Sequence, residues 1–481
     1  MGMAALQGFW LLRIDNQKKM TSISEKIKSQ LDRPKKSFKA EIGRWLAKHN
    51  PIIAVLDDDP TGCQTIHDIP VFTEWSDQTI DSIFREDIRT FYMLTNSRSM
   101  QPEKANDVGF NIGQRLQEAS KKYNRKLIVI SRSDSTLRGH YPNEVNALAN
   151  GLGRPDAKQI LIPAFFEGGR YTLNDIHYLE NHGEWIPAAE SPFAKDSSFG
   201  FTSTNLKDWI VEKSEGAIKI ENIESFSLEN LESGGPDYVA SVLRQHLFSH
   251  YVVNAVSYED LEAVAMGCLK SDTDILFRTA ASFINAIANI PLAPLLHGSD
   301  LISSGKGGLV IVGSYVPKTT EQLTILMQET GYEFHQIEVE KIFDSNLRTS
   351  VIQDAVTAVD KALKVDRIIV LYTSREVVKG INKSESLDIV NSVSGTLVEL
   401  VQNLEVRPKF ILSKGGITSS DIATRALNVK RAEIKGQILE GVPVWELGPE
   451  SRFPHMPYIV FPGNVGDNHA LENVLNKMQP Q

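Results

Sequence analysis

Cysteine is almost missing: two residues in 481, Cys63 and Cys268. Two thiols build neither a disulfide framework nor a zinc cluster, and this usage fits a reducing compartment. No apolar run approaches the roughly 20 residues that a membrane-spanning helix needs, so no membrane partner is expected. An excess of positive charge is also lacking. Net charge is −9 with no strongly basic half, which removes nucleic acid from the expected partners. Neither standard phosphate-binding fingerprint, GxxxxGK[ST] or GxGxxG, occurs. The opening MGMAALQGFWLL lacks the basic start and small-residue cleavage site of a signal peptide. It carries Leu6 where a myristoylation pattern wants Ser or Thr. Residues 13–50 are basic but include Asp15, Glu25 and Asp32, against a transit peptide. We read 1–20 as a loose extension, 21–49 as a surface helix region, and the protein as cytoplasmic.

What remains is an ordinary globular composition, 41% hydrophobic and 23% charged, long enough for two or three domains. The chain is organised around PIIAVLDDDPTGCQT, residues 51–65. The apolar run Ile52–Leu56 reads as a strand buried on both faces. Asp57, Asp58 and Asp59 cannot continue into such a core, so they emerge at the strand's carboxyl end. In open α/β sheets that edge is where ligands bind. Three adjacent carboxylates repel, and holding them together takes a metal ion, a cation or a donating hydroxyl.

The same design recurs along the chain. IPVFTEW, 69–75, reads as a strand, and FYMLTNSRSM, 91–100, as a strand ending at Asn96-Ser97-Arg98-Ser99. Residues 103–123 have helical spacing. KLIVISRSDSTLRGHYP, 126–142, is a strand then a polar loop with Arg132, Ser133, Asp134, Ser135 and Arg138; QILIPAFFEGGR, 159–170, ends in Gly168-Gly169-Arg170. YVVNAVSYEDL, 251–261, is a strand entering a helix. Alternation of this kind predicts an α/β fold of two domains, each a mostly parallel sheet flanked by helices. The segment GSDLISSGKGG, 298–308, holds four Gly and three Ser in eleven positions and is taken as the linker. The expected division is an extension, 1–49, a first domain, 50–297, and a second domain, 309–481.

Beyond the linker, four strand–turn–helix units follow: 308–323, 367–378, 410–427 and 458–475. Glycine turns at helix starts present unpaired N–H groups to a phosphate. Gly313-Ser314, Gly415-Gly416-Ile417-Thr418 and Gly463-Asn464-Val465-Gly466 are candidates, and Asp467 is a candidate Mg2+ ligand. In the first half, arginines suit a planar carboxylate. Arg98, Arg132, Arg138 and Arg170 near an acidic edge suggest a small polyhydroxylated acid as ligand.

These motifs resemble the four-carbon acid sugar kinase family. The carriers are DDDPTGCQTIHDIPV (57–71), NSRS (96–99), RSDSTLRGHYP (132–142), PAFFEGGR (163–170), SPFAKD (191–196), GSYVPKTTEQ (313–322), SKGGITSSDIA (413–423) and PGNVGD (462–467). The resemblance covers residue 50 to the end. It implies a sugar-acid substrate domain at 50–297, a nucleotide domain at 309–481, an active site in the interdomain cleft, and ATP-dependent phosphorylation of threonate, erythronate or an oxo-tetronate on the terminal hydroxyl. Substrate would meet Asp57, Asp58, Asp59, Arg98, Arg132, Ser133, Asp134 and Ser135; ATP would meet Ser314, Gly415, Gly416, Ile417, Thr418 and Gly463. The expected ligands are the sugar acid, ATP and Mg2+, and a homodimer is allowed. Asp58 or Asp59 is the expected base, since a carboxylate must accept the hydroxyl proton. Two alternatives stay open. One is a haloacid-dehalogenase-type phosphatase, since Asp57, Asp59 and Thr61 fit its D-x-D-x-T pattern with Asp57 as nucleophile. The other is a non-catalytic sensor of a sugar acid and a nucleotide.

Overall fold

The computed structural model describes residues 23–181, 183–301, 304–375 and 383–479. The extension at 1–20 therefore lies outside the described residues, as does most of 375–378, where a helix was expected. The described helix after that point is Lys383–Gln402.

In chain order the strands are β1 (Ile52–Asp57), β2 (Ile69–Phe72), β3 (Thr90–Leu94), β4 (Leu127–Arg132), β5 (Lys158–Ile162), β6 (Arg170–Leu173), β7 (Ile176–Asn181), β8 (Glu184–Pro187) and β9 (Ile223–Phe226). They continue as β10 (His250–Val253), β11 (Ile275–Thr279), β12 (Gly308–Val312), β13 (Tyr332–Ile337), β14 (Ile368–Thr373), β15 (Ile411–Lys414), β16 (Arg431–Leu439), β17 (Val442–Leu447) and β18 (Pro457–Phe461).

The chain divides into two compact units. The first comprises residues up to 58, 80–89 and 100–290. Its sheet runs β1-β4-β11-β5-β10-β9, all parallel. β1 and β4 are buried at every position, as strands covered on both faces must be. A separate antiparallel sheet, β6-β7-β8, follows β5, and its hairpin was not expected from the sequence. The described part of the 21–49 region, from residue 23 on, is docked on this unit through buried contacts. Ile27 is fully buried against Leu173, Tyr178 and Trp185. Lys35 Nζ donates to Asp260 Oδ2 at 2.6 Å, and Glu262 Oε2 accepts from Ser37 Oγ and the Phe38 N–H.

The second unit comprises 59–79, 90–99 and 291–481. Its strands run β13-β14-β12-β15-β18, all parallel, then β17, β16, β2 and β3. Residues 59–79 join this unit because β2 pairs antiparallel with β16, Ile69 opposite Ile434. β16 alternates buried and half-buried positions along all nine residues, the pattern of an antiparallel strand with one open face. The 298–308 stretch lies within this unit. Gly298–Asp300 forms a 3-10 turn, the Lys306 N–H donates to Arg407 O, and Gly308 already opens β12. The core places Val310, Val312, Leu412, Ile459 and Phe461 against Leu323 and Leu326 of the helix Pro317–Leu326 and Leu471 and Val474 of Ala470–Met478. Among the described residues no helix is long and apolar enough to cross a membrane.

Candidate functional site

In the first unit the acids leave β1 where expected. Asp57 ends the strand and sits in register with Arg132 at the end of β4. Arg132 Nη1 lies 3.3 Å from Asp57 Oδ1 and 4.0 Å from Asp58 Oδ1. Ser133 Oγ donates to Asp58 Oδ2 at 2.9 Å. Asp57, Asp58 and Arg132 are all buried. The cation and the hydroxyl that such packed carboxylates require are thus both present. The next loop is held by its own charges. Asp134 Oδ2 accepts from Arg138 Nε at 2.6 Å and from the Thr136 hydroxyl. Arg138 also lies 3.9 Å from Asp196 and stacks over the Phe193 ring. Ser135 is buried, and its carbonyl accepts from His177 Nε2 at 2.8 Å; His177 Nδ1 takes the Thr172 hydroxyl at 3.0 Å. Burial pulls the His177 imidazole down to about 4.

Two participants here escaped sequence reasoning. Arg278, buried on β11, donates to Ser131 Oγ at 2.7 Å and pairs with Glu144 at 3.1 Å. Gly139 closes over this group at φ +126°. A Cβ there would stand 2.7 Å from Arg278 Nη2, 2.9 Å from Ser133 Oγ and 3.1 Å from Asp58 Oδ2. Only glycine permits both that φ and that approach. The readable signal for Arg278 was a single charge in the otherwise apolar run ILFRT.

In the second unit the turns after β14, β12, β15 and β18 share one edge, because the four strands are adjacent and parallel. The turns touch one another. A Cβ on Gly313 would lie 2.2 Å from Thr418 Oγ1, and one on Gly463 2.8 Å from Ser314 Oγ. Gly415, at φ +116°, starts the short helix Gly416–Asp421. A cavity of about 400 Å³ opens beside these turns. Ser314, Thr373, Gly415, Gly416, Ile417 and Thr418 line it, and Val316, Val339, Val390, Val393 and Leu397 add apolar walls. Thr319 Oγ1 donates to Gly463 O at 2.9 Å and Gln322 Nε2 to Val465 O at 3.0 Å, fixing the last turn. Arg375, also missed, donates to Ser314 O at 2.6 Å.

Asp59 belongs to this second unit, one residue beyond Asp58. Its Oδ1 accepts from the Thr61 N–H at 2.8 Å and hydroxyl at 2.5 Å, and Oδ2 pairs with Arg98 Nη1 at 3.3 Å. A Cβ on Gly416 would stand 2.8 Å from Asp59 Oδ2, so this acid borders the glycine turn. Asp467 is exposed, and its Oδ1 accepts from the His469 N–H at 3.0 Å. No group of three or more His, Cys, Asp or Glu suited to a metal occurs among the described residues. Mg2+ asks for less than that, one or two carboxylates completed by phosphate and water, and Asp59 or Asp467 fits such a donor set.

Residues 53–287 match a sugar-binding N-terminal domain, and residues 309–471 a nucleotide-binding C-terminal domain. By description, then, the chain is similar to a sugar-binding domain followed by a nucleotide-binding domain. The chain belongs to the four-carbon acid sugar kinase family. It is 26% identical over 257 residues to a D-erythronate kinase of Heliobacterium modesticaldum; the match covers 52% of this chain and 53% of that relative, about half of each. Two crystal structures share the fold. A Salmonella typhimurium LT2 protein described as a candidate tRNA synthase superposes with TM-score 0.66 at 17% identity, over 89% of this chain and 99% of the other. A Haemophilus influenzae protein gives 0.61 at 18% identity, over 89% and 100%.

Proposed function

We propose that this protein is an ATP-dependent kinase that phosphorylates the terminal hydroxyl of a four-carbon sugar acid such as erythronate or threonate. The observation that carries the reading is the segment Asp57–Asp59. Asp57 and Asp58 join Arg132 and Ser133 in the sugar-binding unit, while Asp59 borders the Gly416 turn of the nucleotide-binding unit. One short segment thereby supplies a carboxylate to each unit.

In this reading the apolar walls of the 400 Å³ cavity hold the nucleoside, and the turns at Ser314, Gly415–Thr418 and Gly463 direct N–H groups at the phosphates. Arg98, Arg132 and the Ser133–Ser135 loop bind the acid and its hydroxyls. A guanidinium has five N–H donors, so a bond to an aspartate does not prevent a second one to a substrate carboxylate. Asp58 or Asp59 accepts the hydroxyl proton as the phosphoryl group transfers. Mg2+, held by Asp59 or Asp467, would neutralise charge on the phosphates.

The test is ADP release with D-erythronate, threonate and an oxo-tetronate, with and without Mg2+. ADP release dependent on one of these acids is expected. Phosphate release from a four-carbon acid phosphate, with an aspartyl-phosphate on Asp57, would replace the kinase with a phosphatase. Binding of acid and ATP without turnover would replace it with a sensor.

A further inference from the structure

The last residue of β15 is a lysine with no exposed surface, Lys414. Side chains alternate along a strand, so Lys414 shares a face with Leu412. Leu412 packs into the apolar cluster with Val312, Leu323 and Phe461. On that face a methionine would fit the surroundings better than an amine. Lys414 Nζ instead donates to Pro462 O at 3.2 Å and sits 3.6 Å from the centre of the Phe461 ring. An ammonium has three N–H donors, and among the described residues no carboxylate lies within ion-pair distance of this one. The charged group whose field reaches it is Lys318, in the helix Pro317–Leu326, itself 3.7 Å from Glu321; Phe461, which ends β18, and Pro462, which follows it, do not titrate. Burial, with the Lys318 charge, pushes the Lys414 amine well below the ordinary lysine range.

An unpaired buried amine is costly unless something supplies the missing charge. The position says what that is. Lys414 immediately precedes Gly415-Gly416, and its amine touches the carbonyl immediately preceding Gly463. It therefore lies beneath two turns read above as phosphate cradles. We propose that Lys414 is the buried counter-charge for the polyphosphate of a nucleoside di- or triphosphate seated on the Gly415-Gly416 and Gly463 turns. The assignment deepens the nucleotide reading and rests on it. Lys414 is a positioning residue: it acts through the field under the turns, without touching the reacting atoms. Occupation of the turns by phosphate favours the ammonium, so binding draws a proton into the protein.

Two measurements test this. Calorimetric binding of ADP at pH 8, in two buffers of unlike ionisation heat, counts protons taken up; near that pH the ADP phosphates have little left to titrate. Uptake is expected with ADP and not with adenosine. Lys414→Met and Lys414→Gln should weaken ADP at least about tenfold, leave adenosine unchanged and abolish the uptake. A folded variant of either kind that binds ADP as wild type does overturns the assignment while sparing the nucleotide site. If neither variant folds, wild-type uptake decides: its presence supports the assignment and its absence overturns it. A wild type that binds neither ADP nor ATP overturns the nucleotide reading and this assignment together.

Discussion

Replacing Gly416 by alanine adds one methyl group at the point where the acidic segment borders the glycine turn. The new Cβ would stand 2.8 Å from Asp59 Oδ2 and 3.5 Å from its Cγ. The first distance is too short for carbon against oxygen, so the carboxylate must swing away or the helix Gly416–Asp421 must shift. Asp59 resists because Thr61 holds its Oδ1 twice and Arg98 holds its Oδ2 at 3.3 Å. Both members of that ion pair are mostly buried, 16% and 18% exposed. A charge-assisted hydrogen bond is worth about 1.5–3 kcal/mol net. Against that, alanine in place of glycine in a helix gains up to about 1 kcal/mol. With the full gain the balance is a loss of roughly 0.5–2 kcal/mol, or about 1–8 °C in Tm. Activity should suffer more, because a displacement near 1 Å can cost about 10²-fold. Calorimetric melting and ADP release with D-erythronate measure the two effects, with KM for ATP raised and kcat lowered. The control is a double-mutant cycle with Asp59→Ala, in which the carboxylate that the methyl meets is absent. The destabilisation by Gly416→Ala should vanish in that background. Unchanged melting and kinetics, or strict additivity in the cycle, would refute the steric argument.

Asp58→Asn keeps the shape and cannot accept a proton; if Asp58 is the base, single-turnover phosphorylation should slow by about 10²–10⁴-fold with ATP affinity retained. A near-normal rate transfers the role to Asp59, whose asparagine variant is the matching measurement. Arg132→Met removes the cation from the buried Asp57 and should destabilise by about 3–5 kcal/mol in urea unfolding, against little change if the pair is dispensable. His177 carries the pH prediction. Its folded value near 4 lies below the ordinary 6.5, so the unfolded chain binds the extra proton between them. Stability should therefore fall as pH drops from about 6.5 towards 4, by up to roughly 3 kcal/mol from this residue. His250, also held near 4 by burial, adds a slope of the same sign. The difference between wild type and His177→Gln isolates the first; identical slopes would show that His177 does not carry it.

What could be read in the sequence was whatever local order decides. The run IIAVLD ending in acids specified β1 and its carboxyl edge, because acids cannot enter a covered strand. The glycine turns after β12, β15 and β18 were legible for the same reason, as interruptions of apolar runs. The hairpin β6–β7 had a readable signal that was passed over. Asn174 and Asp175 separate the two strands, and both adopt positive φ, 52° and 61°, as a two-residue hairpin turn requires. The assignment of 59–79 to the second unit had no such signal. It depends on β2 meeting β16, and an apolar tetrapeptide does not announce which distant strand it will pair with.

The arginines show the same boundary between local and distant information. Read singly, Arg98 and Arg132 were donors awaiting a substrate carboxylate. Folded, each lies against an acid of the Asp57–Asp59 run. The repulsion among those three acids called for a metal ion, a cation or a donating hydroxyl, but nothing local in NSRS or RSDS said that their arginines would meet these acids. What sequence could not say is that the run is divided, with Arg132 on Asp57 in one unit and Arg98 on Asp59 in the other. Under the proposed function, that division would give the two arginines separable roles. If Arg132 binds the sugar acid, Arg132→Lys should raise KM for the acid and spare ATP, because an ammonium keeps the charge but loses the planar fork. Arg98→Lys should instead disturb Asp59 beside Gly416, and with it the ATP kinetics. Equal effects of both changes on both substrates, measured as kcat/KM for each, would show that the two arginines act on the acidic segment as one charge and not as two sites.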